Sequence, residues 1–398
     1  MRVAIIVDAY KPFRSSAAIQ IEDLAREFAL QGNEVIVIAP SVDQKQPWLD
    51  EISDGVRVLR LSAPQTKNIG RIRRAVSEIL LPFFMIWNLR KSPYKYLKLD
   101  GIIWYSPTIF FGPLIHKLKR NNQCKSYLIL RDLFPDIAID LGILKRGLIY
   151  KFFKYVESYQ YSLADIIGVQ SESNLEYLRD WSKRPNRHLE VLHNWLSIRP
   201  IIDSNFSLAD SPLAGKTVIV YAGNMGLMQG IDIVLELAEK LLSRDDVGIL
   251  LVGRGSEVVR LKCEAESRGL NNILFHDEVA PSEVPSLLSQ CHIGLLLLDP
   301  RLKTHNVPGK LISYMQAGLP ILARINLGND LLDIIKDNEI GLVHAGEESE
   351  AFFLMADILI NDRLDRVKMS ARCKAKVAEL FSASVACKQI LIALESKF

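Results

Sequence analysis

The chain has 398 residues, 49% of them hydrophobic and 24% charged, which is the composition of a soluble globular protein with room for two or three domains. Its net charge of +3 is too small to indicate a partner by itself. The five cysteines show neither a CxxC pair nor a metal-ligand spacing, which argues against a disulfide scaffold and indicates free thiols in a reducing compartment.

The chain opens with a short apolar run, from Arg2 to Asp8, that predicts a parallel strand. A run of this length followed by Asp8 and Lys11 is not typical of a signal peptide. A loop at 9–18 leads into a helix that ends at Gly32, and 34–39 is the next predicted strand. The apolar stripe of the helix consists of Ile21, Leu24, Ala25 and Phe28.

The same order of strand, loop, helix and strand recurs over 217–252. Two such openings predict an α/β fold with two doubly wound Rossmann-like domains. The predicted strands lie at 2–7, 34–39, 56–61, 100–105, 125–130, 165–170 and 189–192 in the first half, and at 217–222, 247–252, 272–275, 293–298, 319–323 and 340–343 in the second.

The stretch between Asn194 and Lys216 is rich in Pro, Asp, Ser and Gly, a composition typical of linkers. We therefore predict an N-terminal domain at 1–195, a linker at 196–215 and a second domain at 216–380. Two helices, at roughly 348–378 and 382–396, are predicted to end the chain. The last segment, 381–398, is expected to cross back to the N-terminal domain.

Residues 67–98 are strongly basic, with a net charge of +7 that leaves −4 for the rest of the chain. They enclose an apolar run at 79–89 that is too short to span a bilayer, which needs about 20 residues. Such a segment fits a helix lying in the headgroups of an anionic membrane, and 145–161 has a similar mix. A core helix with a solvated basic rim remains an alternative, whereas nucleic-acid binding is disfavoured because no stripe of stacking aromatics accompanies the charge. The residues expected at the membrane are Arg71, Arg73, Arg74, Phe83, Phe84, Trp87, Arg90 and Lys91.

The stretch from Val218 to Asp232 joins a buried strand, a turn with three glycines and a helix whose stripe starts at Ile231. Glycines let a phosphate approach the backbone, and the first-turn amides of a helix attract it, so the stretch predicts an anion site. The spacing is not GxGxxG. A plain strand-to-helix connection that uses glycine for tight packing therefore remains an alternative.

Several motifs, in order, resemble those of family 4 glycosyltransferases, whose GT-B architecture has two Rossmann-like domains facing a cleft. RDLFPD at 131–136 resembles the RDLWPE motif of a branch that acts on amino sugars in bacterial O-antigens and related capsules. The other matching segments are the opening unit at 2–39, ADIIGVQSE at 164–172, HNW at 193–195, the glycine turn at 221–230 and the PGK motif leading to GLP at 308–320.

The resemblance implies which residues meet the nucleotide-sugar donor. Many relatives carry an Arg and a Lys in the phosphate loop, where this chain has Asn224 and Gln229. Lys310 is therefore expected to supply the cation that stabilises the leaving diphosphate. Two glutamates of many relatives correspond to His305 and Ser313. The donor is expected to contact Gly223, Asn224, Met225, Gly226, Gln229, Arg254, His305, Gly309, Leu311 and Ser313.

The family's active-site histidine corresponds to Arg131, so Arg131 and Asp132 join Lys310 as expected catalytic residues. Arg131 cannot deprotonate a hydroxyl, but it could clamp a phosphate or carboxylate if it faces the cleft. Ser15, Ser16 and Asp136 are expected near the acceptor. Helix N-capping is the alternative role for Asp132 and Asp136. Structural roles are expected for Glu157, Asp165, Cys291 and His292.

Taken together, the resemblance implies a retaining glycosyltransferase that works peripherally at the cytoplasmic face of the plasma membrane. It would move a UDP-linked sugar, expected to be an N-acetylated deoxyamino sugar, to a polyprenyl-linked oligosaccharide of a surface polysaccharide. No carboxylate is placed to act as a covalent nucleophile, and no DxD-type pair is placed to hold a metal, so we expect neither a metal nor another cofactor. A sugar-nucleotide epimerase or phosphorylase of the same architecture and a non-catalytic nucleotide-binding scaffold remain alternatives.

Overall fold

The computed structural model describes residues 1–13, 15–42, 44–67, 69–106, 108–140, 142–197, 202–302 and 307–396. They form two compact units. The first combines Met1–Leu196 with the chain from Ala383 on, and the second is Ser197–Ser382. The predicted α/β class with two doubly wound domains is confirmed, since each unit contains its own mainly parallel sheet.

The first unit contains an eight-stranded sheet in the order β3-β4-β2-β1-β5-β6-β7-β8. Its strands are β1 Arg2–Ile6, β2 Glu34–Ser41, β3 Trp48–Ser53, β4 Val56–Ser62, β5 Gly101–Tyr105, β6 Lys125–Ile129, β7 Ile166–Val169 and β8 His188–Val191. Its helices are α1 Ser16–Leu30, α2 Arg71–Lys91, α3 Gly112–Asn122, α4 Asp136–Asp140, α5 Leu148–Ser162, α6 Glu172–Tyr177, α7 Arg179–Ser182 and, at the end of the chain, α15 Ala383–Glu395.

Helices cover both faces of this sheet because successive residues of a strand point to opposite sides. Val3 and Ile5 of β1 belong to a core with α1 and α15. Ala4 and Ile6 belong to a core with α2 and α3 on the other face. The C-terminal helix α15 is therefore part of the first unit.

The edge strand β3 was not predicted from the sequence. It pairs antiparallel with β4, and Ser53 lies opposite Val56. Asp54 and Gly55 between them both have positive φ, at 52° and 78°. An Asp-Gly pair with this conformation forms the two-residue hairpin loop that the twist of antiparallel strands favours. The strand was not predicted because 48–53 contains several polar residues. The Asp-Gly dipeptide that follows it was the signal that could have indicated a hairpin.

The second unit contains a six-stranded parallel sheet in the order β11-β10-β9-β12-β13-β14. Its strands are β9 Thr217–Ala222, β10 Val247–Val252, β11 Ile273–His276, β12 Ile293–Leu297, β13 Ile321–Ile325 and β14 Gly341–Ala345. Its helices are α8 Asp232–Lys240, α9 Val258–Ser267, α10 Val284–Ser289, α11 Gly309–Ala317, α12 Leu331–Asp337, α13 Ser349–Asn361 and α14 Arg363–Leu380.

Two predictions about this unit need correction. The stretch predicted as a linker is folded onto the unit where it is described: the Leu208 N–H donates to the Gln290 side chain at 2.7 Å, and Leu213 is 1% exposed. The helix predicted at 348–378 is two helices. The Asp362 carboxylate accepts the Asp365 N–H at 2.8 Å, which caps α14 and separates it from α13.

Candidate active site

In a doubly wound sheet, ligands bind beyond the carboxyl ends of the strands, where the strand order changes direction. This switch point lies between β1 and β5 in the first unit and between β9 and β12 in the second. Asp8 follows β1, which borders the first switch point, and Asp132 follows β6, one strand beyond β5. Gly223 directly follows β9, which borders the second switch point. The fold thus places the ends of these segments at the carboxyl edges of the two sheets.

Lys310, in the first turn of α11, lies at the second switch point. Its Nζ donates a hydrogen bond to the Tyr221 hydroxyl at 2.7 Å and lies 3.9 Å from the centre of the Tyr221 ring. That hydroxyl donates in turn to the Asn224 carbonyl at 2.6 Å. A side chain at position 223 would begin 3.8 Å from the ammonium. The sequence motif identified Lys310, but not the tyrosine that holds it.

The environment of Lys310 does not balance its charge. Burial disfavours the charged form and lowers the pKa of Lys310 from its ordinary 10.5 to about 7. In the part of the chain that the structure describes, no carboxylate forms an ion pair with it. The ammonium also lies at a helix N-terminus, where the helix dipole repels a cation. An anion between Lys310 and the free amides of the α11 first turn would relieve both costs.

The glycine turn contributes less to this anion site than its sequence predicts. A 3₁₀ turn at Leu227–Gln229 separates β9 from α8, so the first turn of α8 does not begin at the glycines. The Gly226 N–H is already bonded to the Gln229 side chain at 3.0 Å, and the Gln229 N–H to the Gly226 carbonyl at 3.2 Å. Two of the five backbone N–H groups over 226–230 are thus used within the turn.

Two other glycines let neighbouring loops meet closely at this edge. A Cβ on Gly253 would lie 2.0 Å from the Gly223 carbonyl oxygen, and one on Gly255 would lie 2.0 Å from the Met225 carbonyl oxygen. Both have positive φ, at 142° and 155°. The loop after β10 therefore supports the glycine turn by direct backbone packing, a role the sequence analysis missed although GRG at 253–255 is visible in it.

The other residues expected to contact the donor fall into distinct groups. Met225 and Leu311 are 0% exposed, so their side chains belong to the core and only their backbones could face a ligand. Asn224 and Gly309 are exposed, and Ser313 is partly buried on α11. Arg254 is exposed and pairs with Glu278 at 3.2 Å. His305 lies outside the described residues.

In the first unit, the structure corrects the expected role of Arg131. Its side chain is 7% exposed. The guanidinium donates to the Leu192 carbonyl at 2.6 Å and the His193 carbonyl at 3.3 Å, and lies 4.9 Å from the centre of the Trp195 ring. A buried guanidinium needs such partners, and the backbone at 192–193 and the Trp195 ring supply them. Arg131 holds this segment and is not presented to a phosphate.

Asp132, next to Arg131 in the chain, is better placed to contact a ligand. Its carboxylate makes no hydrogen bond to any residue that the structure describes. Burial raises the pKa of Asp132, an effect opposed by Arg131 and reinforced by the nearby Asp8. An unpaired, partly buried carboxylate at the carboxyl edge of the sheet is suited to receiving a hydrogen bond from a ligand hydroxyl.

The three residues expected near the acceptor have structural partners or lie beyond description. Ser15 caps α1 by accepting the Ala18 N–H at 3.2 Å, and the side chain of Ser16 is outside the described part. The Asp136 carboxylate accepts from Tyr150 at 2.6 Å and Lys154 at 3.0 Å, and also from Tyr177. It therefore ties α4 to α5 and α6 instead of capping a helix, beside a cavity of about 410 Å³.

Comparison with known proteins shows what the chain is similar to. Residues 205–377 match the family model described as Glycosyl transferases group 1. WcaI of Escherichia coli (strain K12), a putative colanic acid biosynthesis glycosyl transferase, is 24% identical over 339 residues, 80% of this chain and 82% of WcaI. WbjE of Pseudomonas aeruginosa, a probable glycosyltransferase, is 27% identical over 222 residues, 54% of this chain. That match spans only 55% of WbjE.

Solved structures agree on the fold. The structure of Anabaena HepE in complex with UDP-glucose is similar over 100% of both chains, with a TM-score of 0.69 and 14% identity. Two doubly wound units are the architecture of the GT-B class, and this chain has that fold. Its match to the group 1 glycosyl transferases covers residues 205–377.

Proposed function

We propose that this chain is a retaining glycosyltransferase that moves a sugar from a UDP-linked donor to a polyprenyl-linked oligosaccharide during synthesis of a bacterial surface polysaccharide. An N-acetylated deoxyamino sugar is the proposed cargo. The observation that carries the proposal is Lys310, a cation without a carboxylate partner among the described residues, beside the glycine turn of a group 1 glycosyltransferase domain. The names of WcaI and WbjE support the reaction class, and the UDP-glucose complex of HepE supports the donor class.

The proposed chemistry follows from this site. As the bond between sugar and diphosphate breaks, negative charge grows on the leaving phosphate. Lys310 would stabilise that charge, and the amides at the start of α11 would add hydrogen bonds. Asn224 and Gln229 are neutral, so they supply no second cation. The departing phosphate would take the proton of the attacking hydroxyl on the same face of the sugar, which retains the configuration.

The outer face of α2 supports a peripheral membrane location. Its inner face is buried through Leu81, Met85 and Leu89. Its outer face exposes a continuous apolar stripe made of Ile72, Val76, Leu80, Phe83, Phe84 and Trp87. Basic residues stand at both ends of the helix. Exposed aromatics between basic ends match the chemistry of an anionic headgroup layer, where a polyprenyl-linked acceptor resides. None of the helices that the structure describes is both long enough and apolar enough to cross a bilayer.

The function is tested in two steps. A thermal-shift screen of nucleotide sugars should give one clear stabiliser, since a ligand at 100 times its dissociation constant adds about 2.7 kcal/mol. Incubation of that radiolabelled donor with lipid-linked acceptors should then give transfer. Release of an isomerised nucleotide sugar without acceptor would indicate an epimerase, and binding without any turnover would indicate a scaffold.

Donor binding should depend on pH through Lys310. With a free-state pKa of about 7, Lys310 is largely neutral above pH 7, and a bound diphosphate raises its pKa. Binding above pH 7 therefore takes up a proton, and affinity falls as pH rises, by up to about tenfold per unit. Calorimetry with the stabilising nucleotide sugar, in buffers of different ionisation enthalpy, measures this uptake. Uptake should approach one proton near pH 8.5, vanish well below pH 7 and be absent in Lys310→Met. Equal uptake in that variant would exclude Lys310 as its source.

Catalysis should not require a divalent metal. Among the residues that the structure describes, no group of three or more His, Cys, Asp or Glu side chains is placed to hold a metal ion. Lys310 would supply the positive charge that Mg²⁺ or Mn²⁺ supplies elsewhere. Initial rates in saturating EDTA should nearly equal the untreated rates. A complete loss that either ion restores would reveal a metal site and contradict this part of the proposal.

A further inference from the structure

One charged pair at the first switch point has no role in the chemistry described so far. Asp8 lies two residues after the end of β1, and its carboxylate forms an ion pair with Lys67 Nζ at 3.1 Å. The Asp8 side chain is 13% exposed and that of Lys67 is 32% exposed. Lys67 lies 4.6 Å from the centre of the Phe13 ring. This lysine is thus turned toward the strand end, whereas the described basic side chains of α2, Arg73, Arg74, Arg90 and Lys91, are exposed.

Asp8 and Asp132 form a pair of carboxylates at this edge. They follow β1 and β6, the two strands that flank β5, so both lie at the carboxyl edge of the sheet on either side of Tyr105 at the end of β5. The charge of Asp8 also raises the pKa of Asp132. Arg131 gives its hydrogen bonds to backbone carbonyls. Lys67 therefore forms the one ion pair with either carboxylate among the described residues. Arg131 favours the charged form of Asp132 through its nearby charge, but gives its hydrogen bonds elsewhere. The two carboxylates thus remain available as acceptors of hydrogen bonds.

We propose that Asp8 and Asp132 select an uncharged, hydroxyl-bearing sugar as the reacting end of the acceptor, with Lys67 holding Asp8 in place. This inference rests on the proposed function and adds the acceptor's chemical class to it. Carboxylates accept hydrogen bonds from sugar hydroxyls, and such charge-assisted bonds are strong. A uronic acid or phosphate at the same place would face two carboxylates, and that repulsion excludes it.

The test measures binding of simple glycosides to the full-length protein with UDP present, by NMR titration. The probes are the methyl glycosides of glucose, galactose and mannose and the three matching methyl uronides, which differ by a carboxylate. We expect wild type to bind at least one neutral member and to bind its uronide about tenfold more weakly or not at all. Asp8→Asn should weaken the neutral sugar by about tenfold, the loss of a hydrogen bond to a charged group, and should reduce the discrimination.

Two further variants separate this role from a general effect on folding. Lys67→Met leaves Asp8 charged and uncompensated, so discrimination against the uronide should increase. Asp100→Asn removes a carboxylate at the opposite end of the same sheet, where it accepts the Arg2 N–H at 2.7 Å, and should change neither affinity.

Equal or tighter binding of the uronides overturns the inference, as does an Asp8→Asn variant that binds like wild type. A wild type that binds none of the neutral probes also counts against it. UDP binding, measured in the same samples, distinguishes failure of the acceptor inference from failure of the proposed function. If UDP binds and these results are contrary, the acceptor inference fails alone. If no nucleotide or nucleotide sugar binds, the proposed function itself fails.

Discussion

Replacing Lys310 with alanine should lower kcat by roughly 10²–10³, the loss that follows removal of one preorganised donor to a developing anion. Lys310 donates only to the Tyr221 hydroxyl among the described residues, so its charge is available to the leaving diphosphate. The loss of positive charge should appear in turnover at saturating donor. The substitution should not impair folding. Burial lowers the pKa of Lys310 to about 7, which means that the charged form of this lysine destabilises the folded state.

Two companion variants make this measurement specific. Tyr221→Phe removes the hydroxyl that holds the ammonium but keeps the charge, so it should reduce kcat much less than Lys310→Ala. Lys336→Ala changes an exposed lysine on α12 of the same unit and should leave kcat unchanged. If Lys310→Ala keeps more than about a third of wild-type turnover at saturating donor, Lys310 does not stabilise the transition state.

The sequence predicted those elements in which one hydrophobic pattern extends over the whole segment. Buried parallel strands such as β9 and β10 are continuous apolar runs, and their predicted bounds match the structure. The segments that escaped prediction obey nonlocal constraints. Phe206 lies in a stretch of linker composition, yet its ring packs at 5.0 Å against His276 of β11. A polar, Pro-rich composition indicates local flexibility only. It does not show that β11, far away in the sequence, provides a surface against which this stretch packs.

The candidate site was predictable only in part, for a similar reason. Lys310 was predicted because it is the lysine of the PGK motif at 308–310. Arg131 and Asp132 are adjacent in the sequence, and no local pattern shows that Arg131 turns inward to Trp195 while Asp132 stays unpaired. Which of the two neighbours turns inward depends on a partner 61 residues away, the Leu192 carbonyl. The role of Lys67 was equally hidden in the sequence. It is one of eight basic residues in 67–98, and only the fold shows that it pairs with Asp8.

Removing the basic residues at the ends of α2 should abolish binding to anionic vesicles. Each basic residue near such a surface contributes about 1 kcal/mol, so replacing five costs about 5 kcal/mol, a factor of roughly 10³–10⁴ in affinity. The variant replaces Arg71, Arg73, Arg74, Arg90 and Lys91 with glutamine. Cosedimentation with phosphatidylglycerol-containing liposomes at low salt measures the effect. Wild-type binding should weaken at high salt without vanishing, because Phe83 and Trp87 are 54% and 60% exposed and remain free to insert.

The control must remove equal charge elsewhere on the exposed surface. Replacing Arg179, Lys183, Lys336, Arg363 and Lys368 with glutamine does so while leaving α2 intact, and this variant should still cosediment. A second variant, Phe83→Ser with Trp87→Ser, should keep its low-salt binding and lose the fraction that resists high salt. Both α2 variants should bind the nucleotide sugar as wild type does, since Lys310 lies in the other unit. If wild type ignores anionic liposomes at low salt, or if the five-residue α2 variant binds them equally well, α2 is an ordinary packed helix.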